Sequence, residues 1–275
     1  MATPLMTCYR HPDRSTGASC TRCGRPICPD CMTQAPVGHH CPTCVREGQP
    51  NARQVRRPWT GGGGRVTPVV TMLIAANVAA FVLTGGGTAV ERFSQQGNRV
   101  ASGQSYRLIT AAFLHANLFH IVFNMAALLI LGPAVETAIG RVRFGVLYVL
   151  AALGGSVCSY LFSSPVVQAV GASGAIFGVF GAYFAIARAR RAETSGIVVL
   201  IAINLVFSFA NPIIDWRAHV GGLVTGLVVG GAFSLAERRP IATRLAIEAV
   251  TCAVLAALLV GLVHYRTDQL RVLAV

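Results

Sequence analysis

Two groups of residues in this chain have the types and spacing to do chemistry. The first lies near the N-terminus: Cys8-x2-His11, Cys20-x2-Cys23, Cys28-x2-Cys31 and Cys41-x2-Cys44. Eight soft donors in four such pairs suit two tetrahedral zinc ions. C-x2-C spacing points to metal rather than to disulfides, and so to a reducing compartment. How the four pairs are shared between the two ions is not set by the spacing. Alternate and sequential pairing are both open, and His39 or His40 could replace a cysteine. The region is too poor in hydrophobic residues to fold alone, so metal is expected to supply the folding energy.

The second group is scattered through apolar sequence: His115, His120, Asn124, Ser173 and His219, with Glu136, Asn204 and Glu248 besides. Polar side chains at membrane depth are costly, which makes each a candidate functional residue. On a helix, His120 and Asn124 lie about 40° apart, so one face offers an imidazole and a carboxamide together. His115 points about 140° away from His120 on the same reckoning, and is expected to support the adjoining loop. Ser173 sits in Gly171-Ala172-Ser173-Gly174, flanked by small residues that would let a peptide backbone approach. Alone, that stretch reads equally well as close helix packing. His219 lies in Ala218-His219-Val220-Gly221-Gly222, with Gly226 beyond. Gly222 and Gly226 fall within about 60° of the His219 direction. Gly174 and Gly178 form a matching small-residue pair on the serine segment. Two such faces pack closely enough for a Ser–His hydrogen bond of ~2.6–3.2 Å. Phe177, one turn below Ser173, is placed to lie under the imidazole. Asp215, four residues before His219, is expected to cap a helix rather than orient the ring.

The elements that position these residues follow from hydropathy. Of 275 residues, 53% are hydrophobic and 12% charged, about half the charge of a soluble domain. Apolar stretches run at roughly 68–84, 108–131, 142–162, 171–187, 196–211, 217–235 and 243–263. Each approaches the ~20 residues that span a bilayer; three are short, so six or seven spans fit. No apolar core of a signal peptide precedes them, and the first span is expected to act as the insertion signal. The formal net charge is +13 and every basic residue is arginine. With the N-terminus inside, seventeen arginines are cytoplasmic and six are outside, the bias that orients membrane proteins. That distribution, with no recognition-helix spacing in the cysteine region, weighs against nucleic acid as a partner. The absence of lysine excludes a Ser–Lys protease, the absence of H-E-x-x-H weighs against a zinc protease, and no pair of spans carries facing aspartates. Cys158 and Cys252 read as small buried hydrophobes.

The chain therefore divides into a cysteine-rich module at 1–46, a linker at 47–67 rich in Arg, Pro and Gly, a membrane core at 68–235, and a last span with a tail at 236–275. Tyr106-Arg107…His115-x4-His120-x3-Asn124, Gly171-Ala172-Ser173-Gly174 and Ala218-His219-x2-Gly222-x3-Gly226 together resemble the rhomboid family of intramembrane serine proteases. Tyr106 stands where that family commonly has Trp, and Phe177 where Tyr is frequent. The resemblance implies an all-α polytopic membrane protein: a six-helix core, here with a seventh C-terminal helix and a small N-terminal zinc finger. It also implies Ser173 as nucleophile, His219 as base, and His120 and Asn124 as oxyanion donors. The activity implied is endoproteolysis of transmembrane proteins near the outer membrane face, within the lipid bilayer; the alternative is an inactive rhomboid-like protein that binds membrane helices. The cysteine pattern resembles a B-box or RING-like finger, in which alternate pairs share a metal; that implies Cys8, His11, Cys28 and Cys31 on one ion, Cys20, Cys23, Cys41 and Cys44 on the other, and a cytoplasmic protein partner. Arg-only, Ala- and Gly-rich usage fits a GC-rich bacterial genome and a cell-membrane location.

Overall fold

In the computed structural model of the chain, residues 6–48, 67–87 and 89–272 are described. The predicted linker at 47–67 lies almost wholly outside them. The chain forms two compact units, Met1–Pro58 and Trp59–Val275.

The N-terminal unit has two antiparallel two-stranded pieces. β1 (Met6–Thr7) pairs with β2 (Ser15–Thr16), and β3 (Thr33–Gln34) with β4 (His39–His40). Helix α1 (Pro42–Gly48) closes the unit and carries Cys44. Among the described residues, its buried cluster is Cys8, Cys20, Cys28, Cys31, Cys41, Cys44 and one aliphatic side chain, Ile27. So little apolar area cannot offset the entropy of ordering the segment.

The second unit is helical. α2 (Pro68–Leu83) begins with proline at a position that needs no N–H donor. The carboxylate of Glu136 accepts from the backbone N–H of Val69 at 3.1 Å and of Val70 at 2.9 Å. That buried acid thus caps α2, which accounts for its presence at membrane depth. Two short helices, α3 (Gly97–Ala101) and α4 (Arg107–Thr110), lie in the segment after α2. Then follow α5 (Leu118–Ile139), α6 (Arg141–Phe162), α7 (Ser173–Ala189), α8 (Ser195–Ala210), α9 (Trp216–Ala236) and α10 (Ile241–Val272). Four of these, α5, α6, α9 and α10, are long and apolar enough to cross a membrane. α2, α7 and α8 are shorter apolar helices; the 17 residues of α7 span about 26 Å. Among the described residues, each apolar stretch contributes one of these seven apolar helices, the second only in part.

The second stretch differs from its prediction. Apolar sequence at 108–131 does not form one helix: α4 and a 3-10 turn at Ala111–Phe113 come first, and the chain then extends at Leu114. Asn117 restarts it as α5, its side-chain oxygen accepting from the His120 N–H at 2.9 Å. An Asn cap satisfies an orphan donor at the helix start, so the helix begins about ten residues later than hydropathy indicates and reaches Ile139. His115 consequently lies before the helix, not on it.

α7 is the most enclosed helix of the unit, touching α5, α6, α8 and α9. α8 and α10 are peripheral: α8 buries only Ile197 and Ser208, and α10 only Glu248 and Leu259. Glu248 lies between Arg143 at 2.7 Å and Arg244 at 2.9 Å, which pairs its charge.

Candidate active site

α7 and α9 meet through glycines. A Cβ on Gly222 would collide with the Gly174 carbonyl, and one on Gly226 with that of Gly178. No residue with a side chain fits at either position, so backbones touch along this seam. The small-residue pairs bring the first residue of α7, Ser173, against the first turn of α9. There Ser173 Oγ lies 2.8 Å from His219 Nε2. Phe177 stacks on the imidazole, with centroids 4.2 Å apart and planes 12° from parallel. Asp215 caps α9 by accepting from the N–H groups of Arg217 at 3.2 Å and Ala218 at 3.4 Å. Its carboxylate is committed to the helix start, and among the described residues no hydrogen bond joins it to the ring.

His120 reaches the same place from α5. Its Nδ1 accepts from the Ala116 N–H at 3.4 Å, so the neutral ring carries its proton on Nε2. Gly171 stands between that nitrogen and the serine: a Cβ there would lie 2.7 Å from His120 Nε2 and 3.6 Å from Ser173 Oγ. The φ of +128° at Gly171 also disfavours any other residue. Asn124 is buried one turn along α5, donating from Nδ2 to the His120 carbonyl at 2.8 Å. One of its two amide protons serves that bond. His115 is fully buried beside His120, ring centroids 5.0 Å apart, with no hydrogen-bond partner found for either ring nitrogen among the described residues.

The segment between α2 and α5 pairs with the stretch of chain that leads into Ser173. Gln95 and Ala169 pair as an antiparallel bridge, and the Gly171 N–H donates to the Ala111 carbonyl at 2.9 Å. Arg107 is buried and ties the segment to itself, donating to the Ser94 carbonyl at 2.6 Å and to Gln104 Oε1 at 2.7 Å.

A model of the Rhomboid domain matches residues 102–236, which contain all of these groups except Gln95 and its neighbours. The Bacillus subtilis (strain 168) rhomboid YdcA is 33% identical over 175 residues, covering 60% of this chain and 88% of YdcA. The chain belongs to the rhomboid family. Rhomboid protease GluP of Bacillus subtilis is 36% identical over 211 residues, 72% of this chain and 40% of GluP. RHOMBOID-like protein 6, mitochondrial, of Arabidopsis thaliana is 37% identical over 138 residues, 48% of this chain and 44% of that protein. This rhomboid therefore spans less than half the length of those last two relatives.

The N-terminal unit of this rhomboid contains two clusters of donors, Cys8, His11, Cys28 and Cys31, and Cys20, Cys23, Cys41 and Cys44, the ligand atoms of each within 4.8 Å of one another. Alternate pairs come together, and His39 and His40 of β4 belong to neither cluster. The spacing fits a tetrahedral zinc ion. Zn–S and Zn–N bond lengths imply S···S edges of about 3.8 Å and N···S edges of about 3.6 Å. Cys23 Sγ and Cys41 Sγ are 3.8 Å apart, and His11 Nδ1 is 3.9, 3.3 and 3.4 Å from the sulfurs of Cys8, Cys28 and Cys31. The thiols also compete for charge. At Cys8, burial raises the pKa but hydrogen bonds from Arg10, Cys28 and His11 outweigh it, down to about 6. Burial with neighbouring Cys28 and Cys8 pushes Cys31 up to about 11. Only a bound cation would let all three thiols of that cluster ionise together, and the clusters are compatible with a zinc-binding module.

Of the residues around the imidazole, the sequence reading missed one. Ser208, on α8, is buried with its Oγ 2.7 Å from His219 Nδ1. The intramembrane-polarity criterion that selected Asn204 applies equally to Ser208 one turn later.

Proposed function

We propose that this chain is an intramembrane serine endopeptidase that cleaves transmembrane proteins near the outer membrane face, with Ser173 as nucleophile and His219 as general base. The observation that carries this reading is the 2.8 Å contact between Ser173 Oγ and His219 Nε2. The protease name of GluP supports it. His219 Nε2 takes the hydroxyl proton as Ser173 Oγ attacks the peptide carbonyl carbon. His120 Nε2–H and the second amide proton of Asn124 serve the oxyanion that develops. The proton on His219 then goes to the leaving amine, an acyl-enzyme remains, and water activated by His219 hydrolyses it. The short α7, with Ser173 at its first position, keeps the serine near one membrane face and within reach of water.

Two zinc ions held by the two cysteine clusters would make the N-terminal unit fold, and that unit would engage a cytoplasmic protein. The arginine distribution supports an N-terminus on the cytoplasmic side of a bacterial cell membrane. The competing reading, a rhomboid-like protein that binds membrane helices without cutting, needs neither the Ser–His contact nor the fixed His120 tautomer.

The test is cleavage of a helical membrane substrate by the full chain reconstituted in liposomes. Ser173→Ala and His219→Ala should each lower the rate by about 10⁴ or more, and a fluorophosphonate probe should label Ser173 in the wild type. Equal cleavage by all three proteins ends the serine-protease reading. A folded wild type that neither cleaves nor labels establishes the binding protein instead.

A further inference from the structure

We propose that Ser208 is a positioning residue for the base: it accepts the Nδ1 proton of His219 and so leaves Nε2 as the lone pair facing Ser173. The inference rests on the dyad reading above. Ser208 Oγ has two polar neighbours, the Asn204 carbonyl at 2.6 Å and His219 Nδ1 at 2.7 Å. A hydroxyl has one proton and can accept besides. The carbonyl oxygen can only accept, so the hydroxyl proton is committed to Asn204. The remaining bond must then run from Nδ1–H to Ser208 Oγ. A neutral imidazole protonated at Nδ1 has its lone pair at Nε2, and that atom faces Ser173 Oγ at 2.8 Å. The chain of bonds is thus Ser173 O–H to His219 Nε2, His219 Nδ1–H to Ser208 Oγ, and Ser208 O–H to the Asn204 carbonyl.

A hydroxyl on a membrane helix ordinarily does no more than bond back to the carbonyl four residues earlier. Ser234 and Thr225 on α9 do this alone, at 2.7 Å to Gly230 and 2.9 Å to Gly221. Ser208 makes the same bond and also reaches the imidazole of another helix. It is one of only two buried residues on α8, the other being Ile197 near the opposite end. No carboxylate takes this place, because Asp215 is occupied at the α9 cap. Ser208 would therefore do with a neutral oxygen what a third group does in other Ser–His sites, holding the ring and its tautomer and accepting from the imidazolium that forms. Phe177 fixes the plane of the ring from below; only a partner at Nδ1 fixes which nitrogen carries the proton.

The full chain, wild type and as Ser208→Ala, Ser208→Val, Ser208→Thr and Ser173→Ala, is assayed in liposomes for kcat and KM. In parallel, ¹⁵N-histidine NMR reads the His219 tautomer. Ser208→Ala and Ser208→Val should lower kcat on the order of 10- to 100-fold with KM changed less than about twofold, and should lose the Nδ1–H signature. Ser208→Thr, which restores the hydroxyl at the volume of valine, should recover both. Wild-type kcat and tautomer in Ser208→Ala would overturn the inference while Ser173→Ala remained inactive and the dyad stood. Equal losses in the Thr and Val variants would overturn it too, because packing alone would then account for the effect. Wild-type cleavage by Ser173→Ala would remove the dyad, and with it the role of Ser208.

Discussion

In the N-terminal unit the reactive side chains are themselves the interior, whereas in the helical unit they are a few polar groups set into an interior built without them. Six cysteines and Ile27 form the buried cluster of the first. In the second, Leu128, Phe144, Leu147 and Val179 are fully buried, and glycine faces draw α7 onto α9 until Ser173 and His219 meet. A site that is its own core depends on its ligand to fold. A site placed by a separate core is positioned before any substrate arrives, and it loses function when packing shifts by a fraction of an ångström.

Metal removal tests that difference most severely. Chelation should unfold the N-terminal unit outright, because structural zinc supplies about 10–16 kcal/mol in comparable small domains. Circular dichroism and proteolysis of residues 6–48 should report the loss, while fluorophosphonate labelling of Ser173 persists within about twofold. Loss of labelling on chelation would show that the helical site is not self-sufficient. On the other side of the comparison, Gly226→Val forces a side chain into the Gly178 carbonyl. It should cost more than the ~1–3 kcal/mol typical of overpacking, lower the Tm of the helical unit and abolish cleavage. A mild effect would mean that α7 and α9 have room to separate.

Substitutions inside the site should have smaller effects. His120→Ala should lower kcat by ~10²–10³ with little change in stability, the signature of a lost oxyanion donor. A change confined to KM would assign His120 to substrate binding instead. Phe177→Leu keeps the apolar volume but loses the stack on His219. Aromatic stacking is worth ~0.5–1.5 kcal/mol, so kcat should fall by about tenfold at most. An unchanged kcat would leave orientation of the ring to Ser208 alone.

Much of this protein was legible from spacing. The C-x2-C and C-x2-H pairs identify the donors because two donors with two residues between them can share one ion whatever the rest of the fold does. The small-residue repeats around Ser173 and His219 mark faces for close packing because side-chain size is a local property. The polar residues stand out because apolar sequence surrounds them. Three things were decided only by the tertiary structure. Which pairs share a cluster depends on how β1 to β4 fold back, and the sequence admits either order. The second apolar stretch breaks before α5 because Asn117 caps a new helix, and hydropathy averages over a break made by one hydrogen bond. Ser208 meets His219 because of the rotation and depth of α8. A serine that bonds to its own helix and one that also bonds to a neighbour have the same sequence surroundings, and only the placement of the second helix separates them.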